Sequence, residues 1–173
     1  QHYKAIASES PVPVILYNVP ARTGSNITAE TTLSLAHDIE NIIAVKEASG
    51  NLEQCMNIIK SKPKNFLLIS GDDALALPLI ALGADGVISV VGNAFPKDYA
   101  ELIRQALKGN FDKAREMQYK LLDIISLLFV EGNPAGVKAA LSILNVCSDQ
   151  LRLPLVQVSK TTFNRMSGLI SEY

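Results

Sequence analysis

Four short apolar runs divide the first half of the chain at near-regular intervals, at residues 12–17, 42–46, 66–70 and 87–91. None of them alternates apolar with polar residues, and continuous apolar runs of this length favour strands that are buried on both faces. The segments between the runs carry helix signals, with Thr28 and Asn51 as candidate N-caps and Gly83 as a candidate stop. The pattern therefore predicts an α/β fold with a parallel sheet that is covered by helices.

The strand pattern ends after Gly92, and residues 96–110, 111–130 and 133–145 predict three successive helices. Asn133 as N-cap and Pro134 as the first helical residue suit the start of the third. Four parallel strands fit either a small doubly wound sheet or half of a (β/α)8 barrel, because a complete barrel needs at least about 200 residues. The chain also opens without Met, in what resembles the last turns of a helix, so we expect its sequence to begin inside a longer chain.

Composition and charge restrict the classes of partner. The chain has 173 residues, 48% of them hydrophobic, and 16 Lys and Arg against 17 Asp and Glu, which gives a net charge of −1. This balance creates no overall field for nucleic acid or an anionic membrane, and the longest apolar stretches are too short to span a bilayer. We expect a soluble cytoplasmic protein with reduced core thiols at Cys55 and Cys147, and no metal site, since neither cysteine has metal-ligand spacing.

Two apolar runs end in proton-active side chains, Tyr17 and Lys46. The carboxyl ends of parallel strands share one rim, where reactive groups gather in α/β folds. Burial would favour the neutral amine of Lys46, which attacks carbonyl groups, and the Tyr17 hydroxyl can both donate and accept a proton. The alternative for Lys46 is an outward side chain or a pair with Glu47, although Glu47 should face the other side of its strand and is interpreted as structural.

Further polar residues follow the first and third runs. Arg22 lies on a loop between Pro20 and Gly24, and its planar fork suits a carboxylate, although a single loop arginine is usually only solvated. In "SGDD", Asp72 or Asp73 is interpreted as a helix cap rather than a metal ligand, and Gly71 as a site of close backbone approach.

Six motifs, in order, are shared with one known family: "YNVPARTG", "VKEASGN", "SGDD", "GVISVVGN", "FVEGNPAGVKAAL" and "LRLPL". They resemble the dihydrodipicolinate synthase family of pyruvate-dependent class I aldolases and lyases, which also contains N-acetylneuraminate lyase. The resemblance implies a (β/α)8 TIM barrel, with residues 1–95 as its C-terminal half and residues 96–173 as a C-terminal helical extension. The family's N-terminal half, with its "GTTGE"-like loop, has no counterpart in this sequence.

The resemblance also implies roles for five residues. Lys46 would form a Schiff base with pyruvate, and Tyr17 would relay protons above it. Arg22 would bind the carboxylate of aspartate 4-semialdehyde, while Gly71 and the backbone of Ile88 would line the pyruvate site.

The implied reaction produces 4-hydroxy-tetrahydrodipicolinate in lysine (diaminopimelate) biosynthesis. The implied enzyme needs no metal or organic cofactor and forms a homo-oligomer, either a dimer or a tetramer. Two alternatives stay open: a sibling pyruvate aldolase such as N-acetylneuraminate lyase, against which Arg22 argues, and an inactive half-barrel that serves as an assembly module.

Overall fold

The computed structural model describes residues 1–173 as two compact units, Gln1–Ile88 and Ser89–Tyr173. The domain boundary expected from the sequence, after residue 95, stays a prediction. The first unit alternates helices and strands in the order α1 (His2–Glu9), β1 (Val14–Asn18), α2 (Pro20–Thr23), α3 (Ala29–Asp38), β2 (Ile42–Glu47), α4 (Leu52–Ser61), β3 (Leu67–Ser70), α5 (Ala76–Ala81) and β4 (Gly86–Val87).

The four strands form one parallel sheet in the order β1-β2-β3-β4. This confirms the α/β fold class and the four parallel strands, an arrangement that corresponds to half of a (β/α)8 barrel. The register pairs Tyr17 with Lys46 and Asn18 with Glu47 across β1 and β2. The last two residues of these strands therefore lie side by side at the carboxyl edge of the sheet.

The fourth strand is much shorter than the sequence predicts, because only Gly86 and Val87 pair with β3. The Ile88 N–H still donates to the Ser70 carbonyl at 2.9 Å, but the chain then turns into a 3-10 helix at Val91–Asn93. The Gly92 N–H donates to Ser89 Oγ at 2.8 Å within this turn. The turn residues thus satisfy one another locally, and the prediction of a strand over residues 87–91 is wrong beyond Val87.

The helix signals of the first unit are confirmed. The side chains of Thr28 and Asn51 accept hydrogen bonds from the backbone N–H groups of Thr31 and Gln54, which caps α3 and α4. Gly83 follows the end of α5 with φ of +106°, a conformation that glycine adopts without strain.

Only one face of the sheet is well buried. Leu16, Val45 and Leu68 are at most 1% exposed, and helices α3 and α4 pack against β2 and β3. On the other face, Ile15 is 43% exposed and Leu67 is 38% exposed. The expectation of strands buried on both faces is therefore met on one face only.

The second unit is helical, with α6 (Pro96–Leu107), α7 (Phe111–Phe129), α8 (Ala135–Ile143) and α9 (Lys160–Glu172) after the 3-10 turn. The three predicted helices are confirmed. Helix α9 was not predicted, although Ser159 caps it by accepting from the Thr162 N–H. None of the helices is both long enough and apolar enough to cross a membrane.

Two details of the second unit differ from the expectations. Helix α8 begins at Ala135 with Pro134 as its N-cap, so Asn133 lies one residue too early to cap it, and its buried side-chain oxygen has no hydrogen-bond partner. Cys147 is exposed and accepts from Lys138 Nζ at 3.8 Å, so it is not the core thiol that was expected.

Candidate active site

The amine of Lys46 lies over the ring of Tyr17, with Nζ at 4.1 Å from the ring centroid. The parallel register places these residues directly beside each other, so both side chains project from the same face of the sheet. A cation over an aromatic face is attracted by the ring's quadrupole. The two residues expected to carry the chemistry are thus brought together.

The partial burial expected for Lys46 is found, but Tyr17 is not buried. Tyr17 is 46% exposed and Lys46 is partly buried, and both project from the same face as the exposed Ile15 and Leu67. The alternative pairing of Lys46 with Glu47 is also wrong. Glu47 is 2% exposed on the opposite face, where it accepts hydrogen bonds from other residues.

Gly71 lies against the side chain of Lys46. A Cβ atom built on Gly71 would be 2.8 Å from Ala48 Cβ and 3.0 Å from Lys46 Cε. The Gly71 N–H also donates to the Glu47 carbonyl at 2.8 Å, which ties the end of β3 to the end of β2. The close backbone approach expected at Gly71 is confirmed, and only glycine leaves this space to the lysine stem.

The helix-cap interpretation of "SGDD" is wrong, because the N-cap of α5 is Leu75 without a side-chain hydrogen bond, and Asp72 instead stabilises the turn that precedes the helix. Asp72 Oδ1 accepts from the backbone N–H groups of Ala74 and Leu75, at 2.9 and 3.2 Å, in the turn that leads into α5. Its own carbonyl accepts from Ser70 Oγ at 2.9 Å. No group of three or more His, Cys, Asp or Glu side chains in residues 1–173 is arranged to hold a metal ion.

Arg22 follows the carboxyl end of β1, in the single helical turn α2 rather than in the loop that the sequence suggests. Pro20 begins this turn and Gly24 ends it with φ of +68°. The side chain is exposed and forms no ion pair within the chain, so its guanidinium is available to an anion.

Ile88 follows the last residue of β4 and is 44% exposed. Its N–H is occupied by the Ser70 carbonyl, so a ligand at this position would have to use the Ile88 carbonyl.

A buried polar cluster behind the site was missed by the sequence interpretation. Glu47 accepts from Asn18 Nδ2 at 3.1 and 3.0 Å, from the Ser49 N–H at 2.7 Å and from Gln54 Nε2 at 2.9 Å. Asn18 is 1% exposed and Gln54 is 9% exposed. The sequence did contain a signal for this cluster, because Asn18 directly follows Tyr17 and Glu47 directly follows Lys46 at the ends of two apolar strands.

The same cluster determines the state of the nearby thiol. Burial, and then the charge of Glu47, raise the pKa of Cys55 to about 12. Cys55 is therefore a protonated core thiol, as expected, and not a nucleophile.

The sequence model of the dihydrodipicolinate synthetase family matches residues 1–173. The chain belongs to this family.

Members of the dihydrodipicolinate synthetase family resemble the chain closely in sequence and in structure. It is 57% identical to 4-hydroxy-tetrahydrodipicolinate synthase of Phocaeicola vulgatus over 172 residues, which cover 99% of the chain and 58% of that protein. The crystal structure of dihydrodipicolinate synthase from Aquifex aeolicus superposes with a TM-score of 0.96 at 43% identity, covering 99% of the chain and 59% of that structure.

A second similar structure is the chloride-inhibited dihydrodipicolinate synthase from Acinetobacter baumannii complexed with pyruvate, with a TM-score of 0.95 at 35% identity and coverage of 99% of the chain and 59% of that structure. The chain thus spans just under three fifths of the length of these family members.

Proposed function

We propose that the protein containing this chain condenses pyruvate with aspartate 4-semialdehyde to give 4-hydroxy-tetrahydrodipicolinate, through an imine on Lys46. The observation that supports this most directly is the Lys46 amine held 4.1 Å from the centre of the Tyr17 ring. It supplies a nucleophile and a proton-active hydroxyl on adjacent strand ends. Membership of the family and the names of its similar members support the choice of substrates.

In the proposed chemistry, the neutral Lys46 amine attacks the keto carbon of pyruvate, and water leaves to give the imine. Loss of a methyl proton turns the imine into an enamine, whose carbon attacks the aldehyde. The aldehyde oxygen takes up a proton, and the substrate's own amine then displaces Lys46 as the ring closes. Tyr17 would transfer the protons of these steps, since one phenol can both donate and accept.

Gly71, Ile88 and Arg22 would bind the two substrates. Gly71 leaves room for the lysine stem, and the Ile88 carbonyl would contact the pyruvate unit, since the Ile88 N–H is already bonded to Ser70. The exposed guanidinium of Arg22 would hold the carboxylate of the second substrate, because its fork matches two carboxylate oxygens. The lysine carries the covalent intermediate, so this proposal includes no metal or organic cofactor. Homo-oligomeric assembly and cytoplasmic location stay predictions.

Covalent trapping tests the proposal. The full polypeptide that contains residues 1–173 would be incubated with pyruvate and borohydride, and the reduced adduct would be located by peptide mapping. We expect the label on Lys46, its loss in Lys46→Ala, and no change in Lys60→Ala, a matched control at an exposed position on α4. A label on another lysine, or no label, would contradict the proposal.

The acceptor is tested separately. With the adduct established, aspartate 4-semialdehyde should be consumed, and N-acetylneuraminate should not be cleaved. The opposite preference would assign the chain to a sibling pyruvate aldolase with the same imine on Lys46.

A further inference from the structure

Glu47 is buried directly behind the candidate site, and the proposed chemistry leaves it without a role. Its two carboxylate oxygens receive four hydrogen bonds from Asn18, Ser49 and Gln54, and every partner is a donor. One of these donors is the backbone N–H of Ser49, which has no alternative orientation. The surroundings of position 47 therefore require a side chain that accepts hydrogen bonds on both of its terminal atoms.

The orientation of the Asn18 amide is fixed independently. Its Oδ1 accepts from the backbone N–H of Ile27 at 2.9 Å, so its Nδ2 has to face Glu47. Gln54 is fixed in the same way, because its Nε2 also donates to the Ile27 carbonyl at 3.3 Å. A glutamine in place of Glu47 would turn an amide NH2 towards one of these donors, and an unmatched buried donor is costly.

The cluster connects the segments that carry three of the five candidate site residues, Tyr17, Lys46 and Arg22. Asn18 directly follows Tyr17, and Glu47 directly follows Lys46, with the two polar residues paired across the strands. Asn26 Oδ1 accepts a hydrogen bond from Asn18 Nδ2 at 2.9 Å. This bond joins the end of the segment that contains Arg22 to the end of β1.

Successive residues of a strand project to opposite faces, so a fixed side chain on the buried face restricts its neighbour on the open face. We propose that Glu47 is a positioning residue, which holds Tyr17 over the Lys46 amine through its bonds to Asn18. This inference rests on the proposed function, and it predicts that the geometry of the pair depends on the buried carboxylate.

The first test is Glu47→Gln in the full polypeptide, with Glu53→Gln as the matched control at an exposed position on α4. Two quantities would be measured: the rate of pyruvate trapping per folded molecule, and the position of the Tyr17 ring in a crystal structure. Since a misplacement of about 1 Å can cost about 100-fold in rate, we expect Glu47→Gln to slow trapping by about 10- to 100-fold. The ring should move away from Lys46 Nζ, whereas Glu53→Gln should change neither quantity.

A charge exchange separates positioning from a general loss of stability. The double variant Glu47→Gln/Gln54→Glu reverses the donor and acceptor across the 2.9 Å bond between these side chains. An acceptor then remains for Ser49 and Asn18, and the new amide faces the new carboxylate. The new carboxylate at position 54 also faces the Ile27 carbonyl, which accepted from Gln54 Nε2 at 3.3 Å, so thermal stability should stay lowered. We nevertheless expect trapping per folded molecule to recover to within a few-fold of the unmodified protein.

If Glu47→Gln does not fold, Asn18→Ser replaces it, because this change removes the link to β1 and leaves Glu47 with its bonds to Ser49 and Gln54. Trapping at the unmodified rate in a folded Glu47→Gln or Asn18→Ser variant would overturn the inference. If the unmodified protein forms no adduct at all, the proposed function fails instead. The crystal structure then decides the inference alone, and a Tyr17 ring still over Lys46 in Glu47→Gln would refute it.

Discussion

Gly71→Ala should disable the site by displacing the Lys46 side chain and the backbone beside it. The new Cβ would be 2.8 Å from Ala48 Cβ and 3.0 Å from Lys46 Cε. Carbon atoms prefer a separation of about 3.5–4.0 Å, so the neighbours have to move by roughly 0.5–1 Å. The flexible Lys46 stem can yield to its overlap, but Ala48 Cβ is attached directly to the backbone, so the closer overlap also requires the backbone to shift.

Two magnitudes follow from this overlap. Overpacking of this kind costs about 1–3 kcal/mol in the free energy of unfolding. A displacement of the Lys46 amine by up to about 1 Å should slow imine formation by about 10- to 100-fold. The rate loss should therefore exceed what the fraction of unfolded protein explains.

The assay combines pyruvate trapping with denaturant unfolding of the full polypeptide. Gly168→Ala is the matched control, because its Cβ would meet no atom within 4 Å and the residue lies inside α9. This control should trap normally and gain roughly 0.5–1 kcal/mol in stability, since glycine is unfavourable inside helices. Unchanged trapping in Gly71→Ala would show that the Lys46 stem does not depend on the space at Gly71.

Three further predictions concern other parts of the chain. Arg22→Ala should weaken the use of aspartate 4-semialdehyde far more than pyruvate trapping, and equal losses in both assays would make Arg22 structural. Cys55 has a pKa raised from 9.0 to about 12, so its contribution to stability is complete below pH 9 and is lost as the pH rises towards 12. Unfolding free energies should therefore fall less steeply over this range in Cys55→Ala, and a parallel pH dependence would contradict this. Residues 1–173 expressed alone should associate through the exposed apolar side chains of the open sheet face, and a monomer in sedimentation at micromolar concentration would refute that expectation.

The elements that the sequence predicts correctly are those with local signals. The first three strands and the capped helices α3 and α4 depend on residues within a few positions of one another, so the apolar runs and the caps at Thr28 and Asn51 were sufficient. The fourth strand failed because local turn bonds at Ser89 and Gly92 compete with sheet pairing. An apolar run alone does not show which of the two wins.

The residues of the candidate site could be predicted from the sequence, but their contacts could not. Lys46 and Tyr17 could be selected because both end apolar strands, but their contact depends on the register between β1 and β2, which short-range patterns do not contain. The burial of Tyr17 was overestimated for a related reason. A continuous apolar strand predicts that both faces of the sheet are buried. The exposure of a side chain, however, depends on which other elements pack against its face.

The paired endings of the two strands explain why the sequence places polar residues after such apolar runs. Each strand ends in one residue for the open face, Tyr17 or Lys46, and one for the buried face, Asn18 or Glu47. A slip of the register by one residue would turn every side chain to the opposite face. It would break the bonds between Asn18 and Glu47 and bury a lysine without a partner, which costs several kcal/mol. The polar pair on the buried face therefore specifies the register, and the register places the reactive pair on the open face.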